Sequence, residues 1–99
     1  MRAFRQYQEL EKQGRNKEAE PFARKALELG EREFGPEHKN TATFLNNLAL
    51  LYADQGRYAD AEPLHKRALA IDEKALGPDH PDVAISLNSL ALLYQKQGR

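Results

Sequence analysis

The chain repeats itself at a fixed interval of 42 residues. Gly14-Arg15, Gly56-Arg57 and Gly98-Arg99 stand at that spacing, as do Gly35-Pro36 and Gly77-Pro78. Ala19-Glu20-Pro21 returns as Ala61-Glu62-Pro63. The block Leu45-Asn46-Asn47-Leu48-Ala49-Leu50-Leu51-Tyr52 returns as Leu87-Asn88-Ser89-Leu90-Ala91-Leu92-Leu93-Tyr94. A period of roughly 20–50 residues is the signature of a stacked array. One such unit cannot bury its own apolar face, so the core must be shared between neighbours along the chain.

Apolar residues inside the unit recur at helical spacing, and five helices are expected, over about 2–13, 17–34, 40–55, 58–76 and 81–97. The first is marked by Phe4, Tyr7 and Leu10, the second by Ala19, Ala23, Ala26 and Leu27. Asn16 is a candidate cap for the second helix, and Pro81 opens the fifth at a position where a missing N–H costs little. Gly35-Pro36-Glu37-His38 and Gly77-Pro78-Asp79-His80 read as loops, because glycine suits a helix C-terminus and proline cannot continue a helix. Pro21 and Pro63 are tolerable only if their helices begin just after the Gly-Arg turns. Gly30 lies inside the second helix and weakens it by about 1 kcal/mol relative to alanine. Glu20/Arg24, Glu28/Arg32 and Glu62/Lys66 stand four apart in the favourable order and belong to solvated helix faces.

Composition narrows the function. Lys plus Arg equals Asp plus Glu, so the net charge is zero. Such a chain lacks the basic footprint of a nucleic-acid binder. It has no cysteine, which removes a disulfide framework and thiolate zinc sites. No apolar run approaches membrane-spanning length and no signal-peptide core follows Met1, so a cytoplasmic protein without a membrane partner is expected. No phosphate loop, zinc signature or nucleophile elbow is present, so neither an enzyme nor a cofactor is expected. His38 and His80 are one repeat apart and occupy equivalent loops, where bonding a helix end is the expected role and no metal is.

The helical unit resembles the tetratricopeptide repeat, whose pattern is W-x2-L-G-x2-Y, then A-x3-F, then proline. Leu45, Leu48, Ala49 and Tyr52 match its first part with Leu for Trp and Ala for Gly, and Leu87, Leu90, Ala91 and Tyr94 match again. Ala61 and Ala68 fit the small positions of the second helix, while His65 and Ala23 stand where the aromatic residue would be. Glu31 and Glu73 replace the terminal proline, so the second helix runs about one turn longer than in the usual repeat of about 34 residues. The long form, with L-N-N-L-A, A-E-P-L and G-P-D-H-P, looks like the repeat of the kinesin light chain class. The resemblance is strong from Gly14 onward and weaker before it, where Ala3, Gln6 and Tyr7 replace Leu, Leu and Ala. It implies an all-α, right-handed solenoid of antiparallel hairpins, two and a half repeats spanning residues 1–99, as a piece of a longer array. It also implies binding of an extended peptide or protein segment along a concave groove lined by the first helix of each repeat.

A helical wheel places Leu45, Leu48, Ala49 and Tyr52 on one face of the third helix, for packing on its partner helix. The opposite face carries Thr43, Asn46, Asn47 and Leu50, and its counterpart on the fifth helix carries Ile85, Asn88, Ser89 and Leu92. This face is nearly uncharged although the neighbouring helix is rich in charge, and a carboxamide both donates and accepts, as gripping a peptide backbone requires. These eight residues are the expected peptide groove. A lysine and arginine clamp for a terminal carboxylate, the family's best-known grip, has no counterpart, since Ile85 and Ser89 stand at its positions. The fifth helix is apolar nearly all round, so Leu87, Leu90, Leu93 and Tyr94 are expected to form an exposed patch that drives homo-oligomer formation. The competing reading is a structural or self-assembling scaffold, natural or engineered, with no dedicated ligand; close internal identity favours it, because a specialised site breaks repeat symmetry.

Overall fold

A computed structural model describes residues 16–98, and among these all regular structure is helical. Four helices follow one another: α1 (Asn16–Phe34), α2 (Lys39–Asp54), α3 (Tyr58–Leu76) and α4 (Pro81–Lys96). They are the expected second to fifth helices, with ends displaced by at most one residue. The expected first helix, over 2–13, lies outside the described residues. No described helix is long and apolar enough to cross a membrane.

Caps and turns set the boundaries. His38 is the N-cap of α2: its Nδ1 accepts the Asn40 backbone N–H at 3.0 Å, so the helix begins at Lys39 rather than at Asn40. His80 does the same for α4, accepting from the Asp82 N–H at 3.1 Å. Both loop histidines thus have the helix-end role expected of them. Asn16 is the first helical residue of α1 rather than its cap. Gly35 and Gly77 leave their helices at φ 91° and 92°, a conformation that any residue with a Cβ resists. Pro21 and Pro63 are each the sixth residue of their helices, just beyond the first turn, and both face solvent.

Each helix packs chiefly on its chain neighbours, α1 on α2, α2 on α3 and α3 on α4. One cluster joins Ala19 and Ala23 of α1, Leu48, Ala49, Leu51 and Tyr52 of α2, Ala61 of α3, and Leu90 and Leu93 of α4. A second joins Ala42 and Leu45 of α2 to Ala68 and Ile71 of α3. Alanines at these seams let helix axes approach closely, and leucines fill the gaps. A fully buried Leu such as Leu45 contributes about 1.5–3 kcal/mol.

The expected exposed patch on α4 is corrected here. Leu90 and Leu93 are buried against α2 and α3 and belong to the core. Their apolar neighbours fare differently. In α2 the residues Ala42, Leu45 and Ala49 are sealed by α3; their counterparts Ala84, Leu87 and Ala91 are exposed, and Tyr94 is half-buried where Tyr52 is buried. The open flank of α4 is therefore Ala84, Leu87, Ala91 and the edge of Tyr94.

Surface charges form the three expected pairs: Glu20–Arg24 at 2.8 Å, Glu28–Arg32 at 2.8 Å and Glu62–Lys66 at 2.9 Å. A fourth interaction is tertiary. Arg57, in the turn before α3, lies 4.4 Å from the centroid of the Tyr52 ring while pairing with Glu20 at 2.7 Å and Asp60 at 3.0 Å. It ties α1, the turn and α3 over one aromatic face.

Gly30 has a packing reason. A Cβ there would stand 2.5 Å from Cδ2 of Phe44, a nearly buried ring on α2. The propensity lost to glycine is repaid by the aromatic ring that fills its place. Gly30→Ala should therefore destabilise the fold by about 1–3 kcal/mol in urea unfolding. In a Phe44→Ala background the same change should become neutral or stabilising, by up to about 1 kcal/mol.

Candidate functional site

The face opposite the α2 core is where the expected groove residues lie. Thr43, Leu50, Ile85, Asn88 and Leu92 are exposed, and Asn46, Asn47 and Ser89 are half-buried. Four of the eight, Thr43, Asn46, Asn47 and Ile85, come together around one cavity of about 220 Å³. Leu50, Asn88, Ser89 and Leu92 do not line it. Two further residues do: Asp72 from α3 and Asp82 from the first turn of α4.

Beneath this cavity runs a chain of polar groups joining three helices. His65 Nδ1 on α3 donates to Asn46 Oδ1 on α2 at 3.0 Å. Asn46 Nδ2 donates to Ser86 Oγ on α4 in a long contact of 3.5 Å, and Ser86 Oγ donates to Asp72 Oδ2 on α3 at 3.3 Å. Every donor points the same way, towards the carboxylate, an arrangement in which each dipole supports the next. His65, Ser86 and Asp72 are 1 %, 0 % and 5 % exposed. A buried polar group left without a partner costs about 1–3 kcal/mol, so the chain satisfies groups that the apolar clusters cannot.

Asn46 is thereby reassigned. Its carboxamide is engaged at both ends inside the fold, so its part at the groove is to hold the floor. Asn47, one residue on, lines the cavity and makes no side-chain hydrogen bond among the described residues. Ser89 turns its hydroxyl to the Ile85 carbonyl at 3.0 Å and Thr43 to the Lys39 carbonyl at 3.3 Å, so both present methylene or methyl surface.

Burial holds the His65 imidazole below its usual pKa, keeping the neutral form that the hydrogen bond to Asn46 uses. Burial pushes the Asp72 carboxyl above its usual range; the Ser86 hydroxyl opposes this, the nearby Asp82 charge adds to it, and His80 opposes it. Among the described residues no lysine or arginine pairs with Asp72 or Asp82, and Asp82 Oδ2 meets only the His80 ring at 3.9 Å. No group of three or more His, Asp or Glu able to hold a metal occurs among the described residues.

One sequence signal pointed to the residues missed. The two inter-repeat seams differ at four buried positions: Ala23, Gly30, Thr41 and Phe44 in the first become His65, Asp72, Val83 and Ser86 in the second. An alanine, a glycine and an aromatic ring have become the polar chain.

The decisive comparison is with the tetratricopeptide repeat, whose family model matches residues 10–74 and again 41–99. The chain belongs to the tetratricopeptide repeat family. Repeats of this family generally mediate protein–protein interaction and form a non-catalytic class. The second match, from Thr41, spans the hairpin α2–α3 and continues through α4. No curated protein matches the chain.

Stability should follow His65. Its folded pKa lies below the unfolded value of about 6.5. Its contribution is therefore present above that value and is lost as pH falls through it towards the folded pKa. Asp72 acts in the opposite sense at lower pH: its raised folded pKa makes stability fall as pH rises from its unfolded value of 3.8. Urea unfolding between pH 7 and pH 5 should show stability decreasing on acidification, and His65→Gln should flatten that slope.

Proposed function

We propose that this tetratricopeptide repeat chain is an interaction module that binds an extended peptide along the first helices of successive repeats. In this reading residues 1–99 form one right-handed array of five helices in the long, kinesin-light-chain-like form, and the α2 and α4 faces line its inner side. The observation that carries it is the cavity that Thr43, Asn46, Asn47 and Ile85 form with Asp72 and Asp82, in a family that generally binds proteins. Asn47 and Asn88 grip the ligand backbone, while Leu50, Leu92 and Ile85 receive apolar side chains. Ser89 and Thr43 shape the walls. No chemistry is performed, and no cofactor or nucleic acid is engaged.

A panel of immobilised extended peptides, probed with the purified chain, tests this. Replacing Asn47 and Asn88 together by Ala should weaken binding of any peptide retained by about tenfold or more, at about 1 kcal/mol per lost hydrogen bond, with helicity unchanged. Binding that is indifferent to both asparagines overturns the groove. A panel with no ligand at all favours the scaffold reading.

The open flank of α4 favours a second activity. Ala84, Leu87, Ala91 and Tyr94 repeat the stripe that α2 buries under α3, and Leu87 is 51 % exposed. Self-association through this stripe covers it, by two α4 helices packing about a two-fold axis. Light scattering at tens of micromolar should give a dimer that Leu87→Glu converts to monomer. A wild-type monomer at that concentration removes the dimer. Leu90 and Leu93, being core, are unsuitable for this test.

A further inference from the structure

The cavity between α2, α3 and α4 has an unusual electrostatic composition for a peptide groove. Its floor carries Asp72, on a side chain 5 % exposed. One oxygen is engaged by the protein: Oδ2 accepts the Ser86 hydroxyl at 3.3 Å, while Oδ1 accepts no hydrogen bond among the described residues and is not sealed from solvent. Its rim carries Asp82, whose carboxylate is 56 % exposed and meets only the edge of the His80 ring. Two carboxylates share one small space, and no cation of the described residues reaches either. A carboxylate held largely out of water is disfavoured, and a cation bearing N–H donors offsets that cost.

The walls suit the rest of such a group. Ile85 stands 60 % exposed at the side and Thr43 turns its hydroxyl away to the backbone, which leaves apolar surface for a methylene stem. Asn47 offers a carboxamide oxygen beside the carboxylates. A long side chain with an apolar stem and a charged tip fits that sequence of surfaces.

The repeat symmetry points the same way. In the first seam the Phe44 ring fills the space beside Gly30, where even a Cβ would stand 2.5 Å from it. The second differs at Asp72, Ser86 and His65, and Asp82 stands where the first has Asn40. The two added carboxylates, Asp72 and Asp82, fall at one seam beside the polar replacements His65 and Ser86, while Gly35, Gly77 and the Leu-Leu-Tyr runs stay alike. Solubility alone does not account for polar groups at buried positions.

We infer that the cavity formed by Asn47, Asp72, Asp82 and Ile85 is a specificity pocket for a cationic side chain, lysine or arginine, of the bound peptide. This rests on the groove reading and adds a selection rule to it: the ligand carries a basic residue at the position opposite Ile85. The tip lies between Asp72 Oδ1 and the Asp82 carboxylate, and the stem runs along Ile85. Asn46, Ser86 and His65 hold Asp72 in place without touching the ligand. Burial, and the nearby Asp82 charge after it, raise the Asp72 pKa, and an arriving cation opposes both.

The test uses the full chain, labelled with ¹⁵N, titrated with blocked single residues so that it does not depend on finding a peptide. N-acetyl-lysine methylamide should move the amides of Asn47, Asp72, Asp82 and Ile85 saturably, in the millimolar range. The norleucine and glutamate analogues should leave them in place. Asp82→Asn, an exposed substitution with no packing role, should weaken lysine binding several-fold, and Asp72→Asn should do so by roughly tenfold, as loss of a charge-assisted hydrogen bond predicts. Asp72→Asn keeps an acceptor for Ser86, and circular dichroism checks that its helicity is intact. Equal shifts from lysine and norleucine, or lysine binding indifferent to both substitutions, overturn the pocket. If the peptide panel yields ligands without a basic residue that still need Asn47 and Asn88, the groove stands and the pocket fails. If lysine binds as stated and no peptide does, the pocket stands and the groove fails.

Discussion

Helix α2 has to hide nearly its whole circumference, and the rest of the molecule follows from how that is done. Its apolar residues are too many for one seam: Ala42, Leu45 and Ala49 need one neighbour, Phe44, Leu48 and Leu51 others. A helix in that position cannot be stable with a single partner. The chain supplies α1 and α3 from its own repeats, and the strip left between them becomes the nearly uncharged face carrying Thr43, Asn46, Asn47 and Leu50. The candidate groove is what remains once packing has taken everything it can use. Helix α4 has the same sequence pattern but fewer neighbours, so the same residue types that are core in α2 are surface in α4. Leu45 and Leu87 are the plainest case: equivalent in repeat position, sealed in one repeat and half-open in the other.

That comparison also explains what could be read in advance. Helix positions and the inward stripe of α2 follow from periodicity, and the loops follow from Gly-Pro and from a histidine that can accept a helix N–H. These are local or repeat-level properties, and the structure carries them to within a residue. Leu90 and Leu93 were misplaced because a wheel treats all apolar residues of a helix alike. Which of them are buried depends on the angle at which α2 and α3 cradle α4, and no single helix encodes that angle. Asp72 was missed for a related reason. On its own helix it is one acid among many charged residues; it acquires meaning only from Ser86, fourteen residues on, and Asn46 on a third helix. The informative signal was the difference between repeats. Gly30 and Phe44 on one side, Asp72 and Ser86 on the other, change together because each pair shares one volume.

The polar chain from His65 to Asp72 also divides labour within the candidate site. Asn46 and Asn47 are adjacent in sequence and identical in type, yet the fold commits the first to internal bonding and turns the second to the cavity. The site is thus built in two layers, one that sets position and one that meets ligand, with three helices contributing to the lower layer. A group held by three elements loses less freedom when a ligand arrives than one on a loop, and preorganisation of this kind raises affinity without adding contacts.

The alternation of Gly30 with Asp72 has a consequence for assembly. Near-identical units invite errors of order: a hairpin can dock one place too early or onto the wrong copy. Here the two seams carry incompatible keys. A slip by one unit would press the Phe44 ring against the Asp72 carboxylate and leave Ser86 over the empty space at Gly30, a stranded charge at one junction and a void at the other. The same two substitutions would therefore also number the repeats, favouring one order of docking in an array written in nearly one word.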